Sequence, residues 1–365
     1  MEKLKVAVVF GGRSAEHEVS LQSAVNVLAA LDREKYDPIL IGIDRKGKWY
    51  LNEHSLNLLD AENPERIRMN TGQNEVTIVT AGRDHRLIDL KNYSDLGKID
   101  VLFPVLHGPY GEDGSIQGLA KLADIPCVGA GILGSAVGMD KAVMKRLLRD
   151  SGIPVSPFLF FRNHEKQSIS YDKVSRELGP DVYIKPANLG SSVGISPAST
   201  PSEFSRGIED AFTYDTKIVI EQAVRGREIE CSVLGRNHPE ASLPGEVITS
   251  DGFYSYQAKY IDENGAVLEI PAKLEEIQVK QIQALAVETF ISLNCTGMAR
   301  VDMFIRHSDG KILINEINTI PGFTRISMYP KLWEVSGVSN QELVDRLIQI
   351  AREEYEETKN LRDTP

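Results

Sequence analysis

Cysteine is scarce in this 365-residue chain: there are three, at positions 127, 231 and 295, with no CxxC pair. So few and so scattered, they exclude a disulfide framework or a thiolate zinc site and suit a reducing, cytosolic compartment. No apolar run approaches the ~20 residues that cross a bilayer, so no membrane partner is expected. The opening MEKLKVAVVFGG is too short for a signal-peptide core. Basic residues are outnumbered, 41 Lys and Arg against 52 Asp and Glu, for a net charge of −11. That balance excludes a nucleic-acid partner bound through a basic surface. Two nucleotide motifs are missing as well. There is no GxxxxGK[ST], and FGGRSAEHE lacks the third glycine of GxGxxG. What remains is a globular chain, 42% apolar and 25% charged, long enough for two or three domains.

The apolar pattern gives the fold class. Lys5 to Phe10 is a Val-rich run ending at Gly11-Gly12, the pattern of a buried parallel strand and turn. Leu21, Ala24, Val25, Leu28 and Leu31 then repeat with helical spacing. Strands follow at Pro38 to Ile43 and Asp100 to Leu106, so the N-terminal part is a parallel α/β domain. The stretch from Asn52 to Lys98 is polar and weakly periodic. GILGSAVGMD, from Gly131, marks a boundary, after which Asp140 caps a helix that Gly152-Ile153-Pro154 ends. Strands are expected at Val182 to Pro186, Val193 to Ser196 and Lys217 to Gln222, with a helix from Ser202 to Phe212. EIECSVLG is a further strand, and a long helix covers Glu275 to Leu293. The resulting division is an α/β chain of three domains, 1–137, 138–226 and 227–365.

Two segments carry chemistry. Lys185-Pro186-Ala187-Asn188-Leu189-Gly190-Ser191-Ser192-Val193-Gly194 joins two strands. Its small residues let backbone N–H groups approach phosphate oxygens, with Lys185 as a point charge; by itself it is equally a flexible hairpin loop. The second is GMARVDMFIR and KILINEIN across HSDG. A three-residue loop, Ser308 to Gly310 with a G1 bulge, opposes Asp302 to Glu316, Arg300 to Asn318 and Phe304 to Ile314. Opposed Cβ atoms lie about 5 Å apart, so the carboxylates repel unless a cation lies between them. Oxygen donors from Asp302, Glu316 and Asn318 suit Mg²⁺. A two-residue loop would shift the register and separate them, leaving a solvated face paired with Arg300.

IKPANLGSSVGIS, IVIEQAVRGREIECSV and GMARVDMFI…INEINTIPGFT, in this order, resemble the ATP-grasp superfamily. SAEHEVSL, HGPYGEDGSIQG, MDKAVMK, YQAKY and NTIPGFTRISMYP narrow the resemblance to the D-alanine–D-alanine ligase family. The match runs from Lys5 to Ala351 and is weakest at 52–98. It implies a three-domain ATP-grasp architecture in which 1–137 binds substrate, 138–226 carries the phosphate loop, and 227–365 carries the metal site and a covering loop. It also implies ATP as co-substrate and two Mg²⁺ (or Mn²⁺) ions on Asp302, Glu316 and Asn318, with a homodimer as the assembly.

The resemblance further assigns Lys141, Lys185, Ser191, Ser192 and Lys259 to ATP. Glu221 with the backbone of Gln222, Ala223 and Val224 would take adenine, and Glu228 the ribose. Glu18 would hold the ammonium of the first D-alanine, bonded in a network with Ser191 and Tyr260, and His107 would lie near that substrate. Ser327 and Met328 would take the second D-alanine, while Arg300 and the Gly322 N–H would stabilise an oxyanion. The implied reaction is dipeptide formation through an acyl phosphate, for peptidoglycan precursors. Ligases that use D-lactate or D-serine as acceptor, and a non-catalytic nucleotide-binding regulator, are the alternatives; a dehydrogenase is disfavoured by the missing fingerprint.

Overall fold

The computed structural model describes residues 2–52, 58–59, 68–69, 74–80, 85–249 and 266–361. Its first sheet forms round β1 (Leu4–Gly11), which pairs in parallel with β2 (Tyr36–Ile43) on one side and β8 (Val101–Pro104) on the other. β3 (Trp49–Asn52) adds antiparallel to β2, giving the order β3-β2-β1-β8. The unbroken apolar run of β1 follows from burial on both faces. Val6, Val8 and Phe10 meet Leu21, Ala24 and Leu28 of α1 (His17–Ala30). Ala7 and Val9 meet Ile116 and Ala120 of α2 (Ser115–Leu122) on the reverse face. The polar stretch between β3 and β8 contributes two small hairpins, β4 (Leu58–Leu59) with β5 (Arg68–Met69) and β6 (Val76–Val79) with β7 (Arg86–Asp89).

The glycine-rich boundary segment from Gly131 is helical. It forms α3 (Ile132–Met139), followed directly by α4 (Lys141–Asp150), whose N-cap Asp140 accepts from the N–H groups of Ala142 and Val143 at 3.1 and 3.0 Å. A second sheet, wholly antiparallel, has the order β11-β10-β12-β9. Its strands are β9 (Phe158–Arg162), β10 (Val182–Pro186), β11 (Ser196–Ala198) and β12 (Lys217–Gln222). α5 (Tyr171–Leu178) and α6 (Pro201–Tyr214) cover it through Val174, Phe204 and Ile208. The strand expected at Val193 to Ser196 begins only at Ser196, because the glycine-serine loop continues through Gly194 at φ 69°.

The third sheet runs β16-β15-β13-β17-β18, with β14 (Glu240–Ala241) beside β13. Its strands are β13 (Gly226–Gly235), β15 (Gly245–Thr249), β16 (Ala266–Glu269), β17 (Gly297–Arg306) and β18 (Ile312–Asn318). α7 (Glu276–Ser292) packs on it through Ile282, Ala286 and Phe290, joined there by Met144 and Leu148 of α4. α8 (Met328–Val335) and α9 (Asn340–Lys359) close the chain. Leu343, Leu347 and Ile348 of α9 share a core with β1 and α1, so the last helix is fastened to the first sheet.

α4 therefore carries Lys141 at its first turn while its apolar side is anchored in the third sheet's core. Leu148→Ala empties a fully buried position and should cost about 2–5 kcal/mol of stability in urea unfolding. A loss under about 1 kcal/mol would mean that α4 is held by something other than this core.

Candidate active site

The hairpin of β17 and β18 settles the placement of the carboxylates. Asp302 opposes Glu316 and Arg300 opposes Asn318, the pairs expected from the sequence. The route to that register is different. The loop has four residues, His307 to Gly310, with Arg306 N–H donating to Lys311 O at 3.0 Å and Gly310 at φ 69°. Phe304 consequently faces Leu313 rather than Ile314. A bulge between Glu316 and Ile314 inserts Asn315 and restores the offset of one at the site. The bulge also aims the Asn315 amide oxygen at Lys185 Nζ, 3.2 Å away.

Cations converge on these carboxylates from two directions. The Arg300 guanidinium makes a forked pair with Asp302, both bonds at 2.7 Å, and its Nε lies 2.9 Å from Glu230. The Asn318 amide donates to Asp302 at 3.0 Å. Lys141, at the start of α4, stands 3.2 Å from Glu316 and donates to Leu189 O in the glycine-serine loop at 2.7 Å. Lys185, at the end of β10, is 3.2 Å from Glu221. The fully buried Lys145 also lies 3.2 Å from Glu221 and donates to Ser156 Oγ at 3.1 Å. Burial alone would raise the Glu221 carboxyl, but these two ammonium groups outweigh it and keep it ionised. The second and third sheets thus face each other across a cleft bridged by lysines.

Above the cleft, the glycine-serine loop turns through the left-handed region at Ser191 and Ser192, with φ of 52° and 59°. Backbone strain of this kind in non-glycine residues collects at functional sites. Where β12 ends, the Gln222 and Ala223 N–H groups donate to Pro157 O and Asp181 O at 2.9 and 3.0 Å. The Val224 N–H takes no partner among the described residues. Glu228 lies on β13 opposite Phe304. Gly322 packs against Ser327: a Cβ would sit 2.7 Å from Ser327 Oγ and make that hydroxyl turn away. Ser327 in turn accepts the Thr324 N–H at 3.0 Å.

A grasping pair of sheets with lysines, opposed carboxylates and a glycine-serine loop is an arrangement for handling nucleotide phosphates. Comparison with known proteins agrees. The model "D-ala D-ala ligase N-terminus" matches residues 5–130 and "D-ala D-ala ligase C-terminus" matches 147–349. The chain is 50% identical over 364 residues to the D-alanine--D-alanine ligase of Shouchella clausii, covering 100% of this chain and 99% of that one. It is 45% identical to D-alanine--D-alanine ligase A of Escherichia coli, with 100% of each chain covered. Among solved structures, the D-alanine-D-alanine ligase of Coxiella burnetii superposes with a TM-score of 0.83 at 38% identity, over 98% of this chain and 97% of that one. The VanG D-Ala:D-Ser ligase of Enterococcus faecalis gives 0.82 at 35% identity, over 96% and 100%. The chain belongs to the D-alanine–D-alanine ligase family. Its mixed α/β architecture is the ATP-grasp fold of these ligases.

Within this ligase, the carboxylate facing Ser191 is Glu16, not Glu18. Ser191 Oγ donates to Glu16 Oε1, and Glu16 is buried at the N-cap of α1. Glu18 pairs instead with Arg45 at 2.6 Å on the outer side. The reason is helical geometry: two residues are about 200° of turn, so the two acids of SAEHE point apart. The periodic signal was present, since His17, Ser20, Leu21 and Ala24 define the buried side and Glu18 lies off it. Met328 is also placed differently from a pocket wall: its side chain packs with Val247 and Leu332. Lys259 and Tyr260 lie outside the described residues.

Three residues that sequence reasoning passed over complete the site: Lys145, Glu16 and Glu112. Glu112 accepts the Gly108 N–H at 2.7 Å and the Ile320 N–H at 3.2 Å, tying the loop after β8 to the loop that carries Gly322. His107 reinforces that joint. Its Nδ1–H donates to Ile320 O at 3.0 Å, and Ser23 Oγ–H donates to its Nε2 at 3.0 Å. Burial holds the His107 pKa below its usual value, so the ring is neutral. Its side chain is therefore a strut between the chain's two ends.

Burial, with the charge of Glu16 added to it, pushes Glu112 from 4.5 up to about 8. The folded chain thus holds this proton more tightly than the unfolded chain does. The associated stabilisation is complete below the unfolded pKa and is lost as pH rises through about 8. Urea unfolding at pH 5 and pH 8 should show wild type losing more stability across the window than Glu112→Gln, which has no proton to release. Parallel losses in the two proteins would contradict the raised pKa.

Proposed function

We propose that this chain joins two D-alanines to D-alanyl-D-alanine with ATP, through an acyl phosphate, in the supply of peptidoglycan precursors. The observation that carries the reading is the cleft itself: Lys141 stands against Glu316 of the hairpin, and Lys185 against Asn315 of the same hairpin and Glu221 of β12, beside a strained glycine-serine loop. ATP lies between the second and third sheets in this proposal. Adenine takes the Val224 N–H at the Glu221–Val224 hinge, Glu228 takes the ribose hydroxyls, and Ser191, Ser192, Lys141 and Lys185 take the phosphates. Asp302, Glu316 and Asn318 are an all-oxygen donor set on one strand pair, which fits Mg²⁺ (or Mn²⁺), with up to two ions. Among the described residues no three His, Cys, Asp or Glu side chains are placed to hold a metal alone. An ion here would share its coordination with substrate phosphate oxygens and withdraw charge from the transferring group.

The chain's own residues account for the order of events. Glu16, buried and bonded to Ser191, holds the ammonium of the first D-alanine at the mouth of the phosphate loop. The carboxylate oxygen of that D-alanine attacks the γ-phosphorus, the bond to ADP breaks, and Lys141 and Lys185 offset the charge on the phosphoryl oxygens. Ser327 and the first turn of α8 orient the carboxylate of the second D-alanine. Its amine attacks the acyl carbon, Arg300 and the Gly322 N–H meet the developing oxyanion, and phosphate departs. Tyr260 and Lys259 belong to the segment proposed to cover the site and exclude water.

A homodimer built on the first domain completes the proposal. Leu122 of α2 and Ile132 and Leu133 of α3 are exposed apolar side chains close together in sequence and on neighbouring helices. The domain limits 1–137, 138–226 and 227–365 are kept as functional units. They are not units of packing, since α9 lies on the first sheet.

The test is ADP release with D-alanine, L-alanine, D-serine and D-lactate, singly and each paired with D-alanine; turnover with D-alanine alone is expected. Glu16→Gln should raise the D-alanine requirement by about 10–100-fold, the worth of one charge-assisted hydrogen bond. Glu18→Gln should leave it nearly unchanged. The reverse ranking would return the ammonium to Glu18.

A further inference from the structure

A cavity of about 290 Å³ lies over the carboxyl ends of β1, β2 and β8, and no step above uses it. The chain passes from β1 to β2 on one side and comes back to β8 on the other. The crevice between β1 and β8 is therefore the topological switch point, where open parallel sheets bind ligands. The floor is apolar, with Ile43, Trp49, Leu106 and Leu119, and the rim carries Arg13 and Lys46.

The charges are the informative part. No acid lines the cavity, and neither Arg13 nor Lys46 is paired with a carboxylate among the described residues. The neighbouring Arg45 is satisfied by Glu18, so the shortage of partners is local, in a chain whose net charge is −11. The Arg13 guanidinium is held at the mouth by stacking on Tyr110, 5.0 Å from the ring centroid. Tyr110 itself sits at φ 68°, a left-handed conformation that a bulky side chain rarely adopts. A strained aromatic holding an unpaired cation over an apolar floor is a binding arrangement, not a packing one.

We propose that this cavity is a second ligand site, for a small organic monoanion with an apolar body. The anionic group meets Arg13 and Lys46, and the apolar body lies on Trp49 and Leu119. Glu16, Ser191 and the hairpin carboxylates do not line it, and His107, which does, turns both ring nitrogens away to Ser23 and Ile320. The site is thus separate from the cleft, though it touches the loop that bears Glu112.

The test is calorimetric titration of the full chain with naphthalene-2-carboxylate and, as the neutral isostere, naphthalene-2-carboxamide. The carboxylate should bind at a single site, with the amide and the Arg13→Ala/Lys46→Ala double variant weaker by about tenfold or more. Leu119→Glu, which adds an acid at the floor, should abolish binding. All variants should keep wild-type ADP release with D-alanine, which shows that they fold. Equal binding of the amide, unchanged binding by the double variant, or displacement by D-alanine or Mg-ATP would overturn the proposal.

Discussion

Two carboxylates on neighbouring strands cannot stand side by side without positive charge near them, and the cleft is organised round that constraint. Asp302 and Glu316 are opposed by the register of β17 and β18. Arg300 answers the first and Lys141 the second. Both pairs are largely buried, where Coulomb attraction is strong but desolvation is costly, so neither is a simple gain in stability. Their value lies in holding charge ready. In the proposed reading a nucleotide and its cation take over these partners, which is electrostatic preorganisation.

The remainder of the architecture brings the chain's two ends to that cleft. Glu16 comes from the first helix and meets Ser191 of the second sheet's loop. Glu112 and His107, after β8, hold the loop at Ile320, two residues before Gly322. Asn26 of α1 adds a bond to Phe323 O at 2.9 Å. Glu16, the Ser191 loop and the loop that carries Gly322 are thus fixed relative to one another by buried polar contacts between segments hundreds of residues apart. Removing one partner of such a contact leaves the other unsatisfied, which costs more than the bond contributed.

Much of this was legible in the residues. β10, β12 and β17 run over the expected limits because turn residues and apolar runs mark both ends. The register that opposes Asp302 to Glu316 was also legible, though by a compensation: a loop one residue longer than expected is cancelled by the Asn315 bulge. Bulges leave no periodic mark, so Phe304 was paired one residue away from its true partner. Gly131–Asp140 reads as a boundary because it is glycine-rich; what the pattern hid is the helix α3, in which two of the glycines meet close neighbours. A Cβ at Gly134 would come within 2.7 Å of Asn294 O, and one at Gly138 within 3.1 Å of Thr319. Glu16 and Glu18 are both acids of one motif, and only their angular positions on the helix separate them. Lys145 and Glu112 depend on tertiary partners that no local pattern announces.

The central claim is that the β17–β18 carboxylates form the metal face of the nucleotide site. Electron paramagnetic resonance of Mn²⁺ with ADP tests it most directly, because enzyme-bound manganese leaves the free-ion signal. Wild type should sequester the ion. Asp302→Asn and Glu316→Gln should each weaken this by more than about tenfold, since even outer-shell partners contribute that much. Asp309→Asn, in the loop of the same hairpin and paired with Arg306, should behave as wild type. Equal sequestration by Asp302→Asn and wild type would contradict the account.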